Sequence, residues 1–99
     1  MIRGTTPTHV YTLPLDTADI KKIRIIYKQV GRELIQKTED DCELSGNTAT
    51  VKLTQQETLM FNSGSNVEIQ VRVLTTGNDA LASNVISVTP GRCLSEEVL

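Results

Sequence analysis

The side chains of this chain with the most reactive chemistry are one histidine and two cysteines. His9 is the only histidine, so any catalytic triad or histidine-based metal site would have to include it. A general base works only with a partner at hydrogen-bond distance, and no acidic residue lies near His9 in the sequence. We therefore interpret His9 as a residue on the face or rim of a strand and not as a catalytic base.

Cys42 and Cys93 are the candidate nucleophiles. The cytosol keeps thiols reduced, and the chain starts with MIRGTTPTHVYT, which lacks the apolar run of a secretory signal. We expect two free thiols without a catalytic role. A disulfide is the alternative, and it would require an oxidising compartment that the sequence does not indicate.

A compact acidic group is the next candidate, because Ca²⁺ prefers several carboxylate oxygens. It consists of residues 39–41 (Glu-Asp-Asp) and Glu43, but it lacks the regular ligand spacing and the glycine of a calcium loop. The segments around Gly64 and Gly77 lack the spacing and the lysine of a phosphate-binding loop. We therefore predict a solvated loop between strands at 39–41, no catalytic residue, no metal site and no cofactor.

The segments that position these residues read as β-strands. Apolar and polar residues alternate in them with a period of two, and short turn sequences such as Gly31-Arg32 and Ser45-Gly46-Asn47 separate them. The predicted strands cover residues 8–13, 22–30, 33–38, 42–44 and 48–53, followed by a long hairpin at 66–88.

The hairpin at 66–88 is the most regular element. Its first strand places Val67, Ile69, Val71 and Val73 on one face, which we expect to face the core. Residues 77–79 (Gly-Asn-Asp) predict the turn, with Gly77 taking a positive φ, and the second strand runs over 80–88.

The fold class follows from this spacing of strands. The sequence predicts an all-β protein, an antiparallel β-sandwich of about seven strands with an immunoglobulin-like architecture, although it has no tryptophan and no cysteine pair across two strands. A small β-barrel is the alternative fold. Thr54 and Glu57 have the spacing of a capping box and predict one short helical turn near residues 55–60. We expect a single domain over residues 1–99, with 90–99 as a C-terminal tail.

Composition narrows the classes of partner. The formal net charge is −2, with 10 Lys+Arg against 12 Asp+Glu, so we expect no nucleic-acid partner. No window contains the roughly 18 to 20 apolar residues that cross a bilayer, so we also expect no membrane partner and a protein made in the cytosol.

Surface residues are the remaining candidates for function. One set is the polar face of the first hairpin strand, Glu68, Gln70 and Arg72 with the single apolar Leu74. The tail supplies a second set, Leu94, Val98 and Leu99. We expect either that their apolar side chains pack on this domain or on a neighbour, or that the terminus frays. Sheet edges need protection from unwanted pairing, and we expect the basic residues of the 22–30 strand, Lys22, Arg24 and Lys28, to protect one edge.

Four segments carry a resemblance to a known group of proteins. They are IRGTTPTHVYTLPLD, VKLTQQETLMF, VEIQVRVLTTGNDALASNVISV and CLSEEVL. Together they resemble a family of small, uncharacterised proteins of about this length that are encoded in prophages of Gram-positive gut bacteria. The resemblance covers nearly the whole chain and implies a β-sandwich associated with virion structural genes, in the tail or baseplate region. It carries over no catalytic residue.

We therefore expect a non-enzymatic structural or accessory module of a phage or prophage, which acts through protein–protein assembly in the virion. Its partners would be other phage structural proteins, with a homo-oligomer as an open alternative. It would be a virion component that is synthesised in the bacterial cytoplasm and is not secreted by a signal peptide. The alternative is a ligand-binding module that holds a cell-wall glycan or a divalent ion with the loops at one end of the sandwich.

Overall fold

The computed structural model describes residues 1–83, 85–95 and 97–99. In this part of the chain, eight strands form two separate antiparallel sheets around one core, which confirms the predicted all-β sandwich. The three-stranded sheet has the order β1-β5-β4, and the five-stranded sheet has the order β3-β2-β6 with β7 and β8 both on the far side of β6. The elements are β1 (Thr8–Thr12), β2 (Ile20–Gln29), β3 (Arg32–Thr38), β4 (Cys42–Ser45), β5 (Thr48–Lys52), α1 (Gln55–Leu59), β6 (Val67–Thr75), β7 (Ala80–Ala82) and β8 (Ile86–Val88).

The core lies between the inner faces of the two sheets. Period-two alternation selects these faces, because successive side chains of a strand point to opposite sides. The four inward residues predicted for β6 are all buried, as are their partners on β2. The largest fully buried side chains are Tyr27, Phe61, Ile23, Ile25, Leu53, Val51, Val67 and Thr58.

α1 closes one end of the core and begins with the predicted capping box. The backbone N–H of Glu57 donates to Thr54 Oγ1 at 3.1 Å, and the backbone N–H of Thr54 donates to Glu57 Oε1 at 2.9 Å. Glu57 also forms a 2.7 Å ion pair with Lys37 of β3, so the helical turn is fastened to the five-stranded sheet. Phe61 follows the helix and is buried against Tyr27, whereas Met60 is exposed.

The turn between β2 and β3 differs from the prediction by one residue. Gln29 pairs with Arg32, so Val30 and Gly31 form the turn and Arg32 belongs to β3. Val30 has a φ of +51° and Gly31 a φ of +75°, the signs of a type I′ hairpin turn. A β-branched residue such as Val30 rarely adopts this conformation, which is why the sequence pattern did not indicate it.

The return arm of the long hairpin also differs from the prediction, because it is two short strands and not one. Arg72 lies opposite Ala82 and Ile69 lies opposite Ile86, so three steps along β6 correspond to four steps along the return arm. The extra residue breaks the arm between β7 and β8. In the preceding turn, Asn78 and not Gly77 has the positive φ, at +66°.

β2 is a central strand, which corrects the expectation that its basic residues protect an edge. It pairs with β3 on one side and with β6 on the other. Lys22, Arg24 and Lys28 therefore project from the outer face of the five-stranded sheet. Arg24 forms a 2.7 Å ion pair there with Glu39, at the start of the acidic segment.

The two terminal segments pack against each other and against α1. Ile2 and Gly91 form a parallel bridge, and the N–H of Gly91 donates to the carbonyl of Met1 at 2.6 Å. The Gln55 side chain accepts a hydrogen bond from the N–H of Leu99 at 2.6 Å and donates one to the carbonyl of Leu99 at 3.1 Å.

The described residues contain no helix with the length and apolar character that a membrane span requires.

Candidate functional site

An apolar groove opens where the two sheets part on one side of the sandwich. It has a volume of about 270 Å³ and lies between β1 of the three-stranded sheet and the broken β7/β8 edge of the five-stranded sheet. Val71 and Val73 form its floor, and residues of β1, β7 and β8 form its walls. We call this region, comprising residues 8–14, 80–83 and 86–88, the open side.

β1 presents unpaired backbone groups along the open side. The N–H of Leu13 donates to the carbonyl of Asn47, and the N–H of Leu53 donates to the carbonyl of Pro7, so the odd-numbered residues of this segment face β5. Because backbone groups alternate in direction along an antiparallel strand, Thr8, Val10 and Thr12 point their N–H and C=O groups away from β5. No strand in the described part of the chain pairs with that edge.

The open side is apolar and carries no charged side chain. Among the side chains that line the groove, Val10 is 60% exposed, Ile86 44% and Leu81 41%. The sequence from 8 to 14 reads THVYTLP and that from 80 to 88 reads ALASNVISV, without Asp, Glu, Lys or Arg in either. A cluster of exposed apolar side chains around unpaired strand edges is typical of an interaction surface.

Three polar rings meet between the two sheets: those of His9 and Tyr11 on β1 and that of Tyr27 on β2. The Tyr27 hydroxyl lies 2.9 Å from His9 Nδ1 and 3.0 Å from the Tyr11 hydroxyl, and Tyr11 also lies 3.4 Å from His9 Nδ1. His9 and Tyr11 are half-buried, whereas Tyr27 is fully buried. Each hydroxyl therefore has a partner, as buried polar groups require.

The chemistry of this cluster is that of neutral groups. Burial raises the pKa of Tyr27 far above its ordinary value, and burial likewise raises the pKa of Tyr11. Burial lowers the pKa of His9 below 6.5, so the ring is neutral at pH 7. The three rings can share hydrogen bonds, and we interpret the cluster as a structural anchor that fixes β1 on the five-stranded sheet.

Cys42 lies in the same row of the three-stranded sheet as His9, because both pair with Val51. Burial, followed by the charge of Asp41, raises the pKa of the Cys42 thiol, which disfavours the thiolate. Cys42 and Cys93 are both free, as predicted. Among the described residues, no three His, Cys, Asp or Glu side chains come together to hold a metal ion.

The predicted residues of β6 lie on the outer face of the five-stranded sheet, away from the groove. Glu68, Gln70 and Arg72 line a shallow depression of about 390 Å³ there. Lys28 lies directly opposite Glu68, and Arg24 lies opposite Arg72, so this face carries charges of both signs. Leu74 is half-buried at the end of β6, between Lys22 and Ala80.

The predicted residues of the tail lie elsewhere, so the structure does not bring the two sets together. Val98 and Leu99 lie beside α1 and the end of β5, where they line a depression with Gln55 and Lys52. Leu94 is 91% exposed and Leu99 is 95% exposed. The tail is thus held through the backbone of Leu99, and its two leucine side chains remain in solvent.

Comparisons of the chain with protein-family models, with curated proteins and with solved structures find no match. The resemblance to a prophage-encoded family stays a prediction, as do the predicted interaction residues on β6 and in the tail.

Sequence reasoning missed the open side, although two signals for it are present. One is the uncharged stretch over 80–88, which stands out in a chain with 22% charged residues. The other is the strand at 8–12, which has no charge and no proline to protect an edge. Neither signal indicates an edge until the strand order is known, because central strands of a sheet are often uncharged as well.

Proposed function

We propose that this protein is a non-enzymatic assembly module that joins other proteins through its open side. The observation that carries this proposal is the coincidence of an unpaired, uncharged strand edge with an apolar groove and exposed apolar side chains. Main-chain hydrogen bonds along such an edge supply affinity, and apolar pockets beside it supply specificity. Exposed edges of this kind are normally protected in proteins that remain alone.

The setting that we propose for this assembly is the tail or baseplate region of a phage virion, where the chain would contact other phage structural proteins. This setting is supported by the resemblance described above and by nothing in the geometry of the sandwich. The open side itself constrains only the type of contact, which is strand pairing combined with apolar packing.

Binding to phage structural proteins tests this function. Each tail and baseplate protein encoded beside the gene is purified, and its binding to the wild-type chain is measured by biolayer interferometry. Ile86→Asp places a charge on the open side, whereas Met60→Asp places the same charge on a side chain that is 52% exposed elsewhere. Circular dichroism establishes that both variants are folded.

We expect at least one of these proteins to bind the wild type and Met60→Asp and to lose affinity for Ile86→Asp by about tenfold or more, the equivalent of about 1.4 kcal/mol. Absence of binding to every protein would contradict the proposed virion assembly. Equal affinity of Ile86→Asp and Met60→Asp would contradict the assignment of the open side.

A further inference from the structure

In the described part of the chain the sandwich has four sheet edges, and β1 is the one without a charged residue, a bulge or a break. β4 follows three consecutive acidic residues and contains Glu43. β3 contains Arg32, Glu33 and Lys37, and its pairing with β2 is interrupted by a bulge. The fourth edge is broken into β7 and β8. Charges, bulges and short strands are the usual means of blocking edge-to-edge association.

β1 is regular, uncharged and nearly palindromic. Its five residues read Thr-His-Val-Tyr-Thr, and its register with β5 has no shift. Reversal of the strand about Val10 places threonine on threonine and an aromatic ring on an aromatic ring. A two-fold symmetric interface requires such self-complementarity, because each residue must fit its symmetry partner.

We propose that a second copy of this chain pairs with β1, antiparallel and across a two-fold axis at Val10. This inference rests on the proposed function of the open side as an assembly surface, where the second copy and a phage structural protein would compete for the same edge. It joins the two three-stranded sheets into one continuous sheet of six strands.

The register of this pairing follows from the directions of the backbone groups. Thr8, Val10 and Thr12 carry the outward N–H and C=O groups, so Val10 pairs with Val10 of the second copy and Thr8 pairs with its Thr12. Each such pair exchanges two hydrogen bonds, which gives roughly six in total. His9 of one copy then lies opposite Tyr11 of the other, on the inner face.

The grooves complete the interface. A two-fold axis perpendicular to the sheet keeps the inner faces of both copies on the same side, so the two grooves face each other. Leu81 and Ile86 line each groove and are both more than 40% exposed in the single chain. The open side has no charge to repel its copy, although the whole chain carries a net charge of −2.

Sedimentation equilibrium over a range of concentrations, with paired charge variants, tests this register. T8K/T12K places like charges opposite each other at both ends of the paired strands, whereas T8K/T12E places opposite charges there. Both variants alter the same exposed positions of one chain. Thr50→Lys changes the neighbouring position on β5 without touching the edge and serves as the control.

We expect the wild type and Thr50→Lys to form a dimer with twice the chain mass. T8K/T12K should raise the dissociation constant by about tenfold or more, and T8K/T12E should restore the dimer. A wild type that remains a monomer up to millimolar concentration would overturn the inference, as would a T8K/T12K variant that dimerises as well as T8K/T12E. Binding of a phage structural protein to a monomeric wild type would overturn the second copy as the partner and leave the proposed function standing.

Discussion

Replacement of Tyr27 by phenylalanine probes how β1 is anchored to the five-stranded sheet. The Tyr27 ring is fully buried between the sheets, and its hydroxyl is hydrogen-bonded to both His9 and Tyr11. Phenylalanine keeps the ring and its packing against Phe61. The variant therefore removes only the hydroxyl, and with it the two bonds that join β2 to β1.

The magnitude follows from the groups that remain. A net hydrogen bond contributes about 0.5–1.5 kcal/mol, and a buried group that loses its partner costs about 1–3 kcal/mol. After the substitution, Tyr11 and His9 can still bond each other, since they are 3.4 Å apart in the wild type. We therefore expect Tyr27→Phe to lower the free energy of unfolding by about 1–2 kcal/mol, or the melting temperature by about 4–15 °C.

Urea unfolding at pH 7, followed by circular dichroism, measures this loss, with Tyr11→Phe as the control. The Tyr11 hydroxyl is only half-buried, and its removal leaves the bond between His9 and Tyr27 intact. We expect Tyr11→Phe to cost less than Tyr27→Phe. A Tyr27→Phe variant as stable as the wild type, or a larger loss in Tyr11→Phe, would refute this account of the cluster.

Two further predictions concern the hairpin turn and the ion pair of α1. Val30→Asn should raise the free energy of unfolding by about 1 kcal/mol in thermal denaturation, because asparagine accepts the positive φ that valine disfavours; an unchanged or lower stability would contradict a strained Val30. Burial alone would raise the pKa of Glu57, but hydrogen bonds from Lys37 and the backbone of Thr54 outweigh it and hold the pKa below the ordinary 4.5. The resulting stabilisation is present above about pH 4.5 and is lost as the pH falls through the folded-state pKa, so Lys37→Met should cost about 1–2 kcal/mol at pH 7 and less at pH 3. An equal cost at both pH values in urea unfolding would contradict this role of Lys37.

The sequence predicts the sheets well because the alternation of apolar and polar residues along a strand indicates directly which side chains are buried. Local sequence patterns predict the inward residues of β6, the capping box of α1, and the strands β2 and β5. The residue types did not predict two turn conformations correctly. Val30 adopts a positive φ against its preference, and Asn78 takes the positive φ expected of Gly77.

The open side could not be predicted in the same way, because it depends on strand order. A period-two pattern assigns faces to a strand but does not say whether the strand is central or at an edge. The sequence therefore predicts an edge position for the basic residues of β2, although β2 lies between β3 and β6. The groove also depends on the break between β7 and β8, which comes from one extra residue in the return arm.

Amide hydrogen exchange of β1, followed by NMR at low and high protein concentration, tests the role of the open side most directly. The amides of His9 and Tyr11 face β5 and should be protected at both concentrations. The outward amides of Thr8, Val10 and Thr12 should exchange rapidly in dilute protein and become protected at high concentration, as a second copy pairs with them. Rapid exchange of these three amides at every concentration would contradict the account.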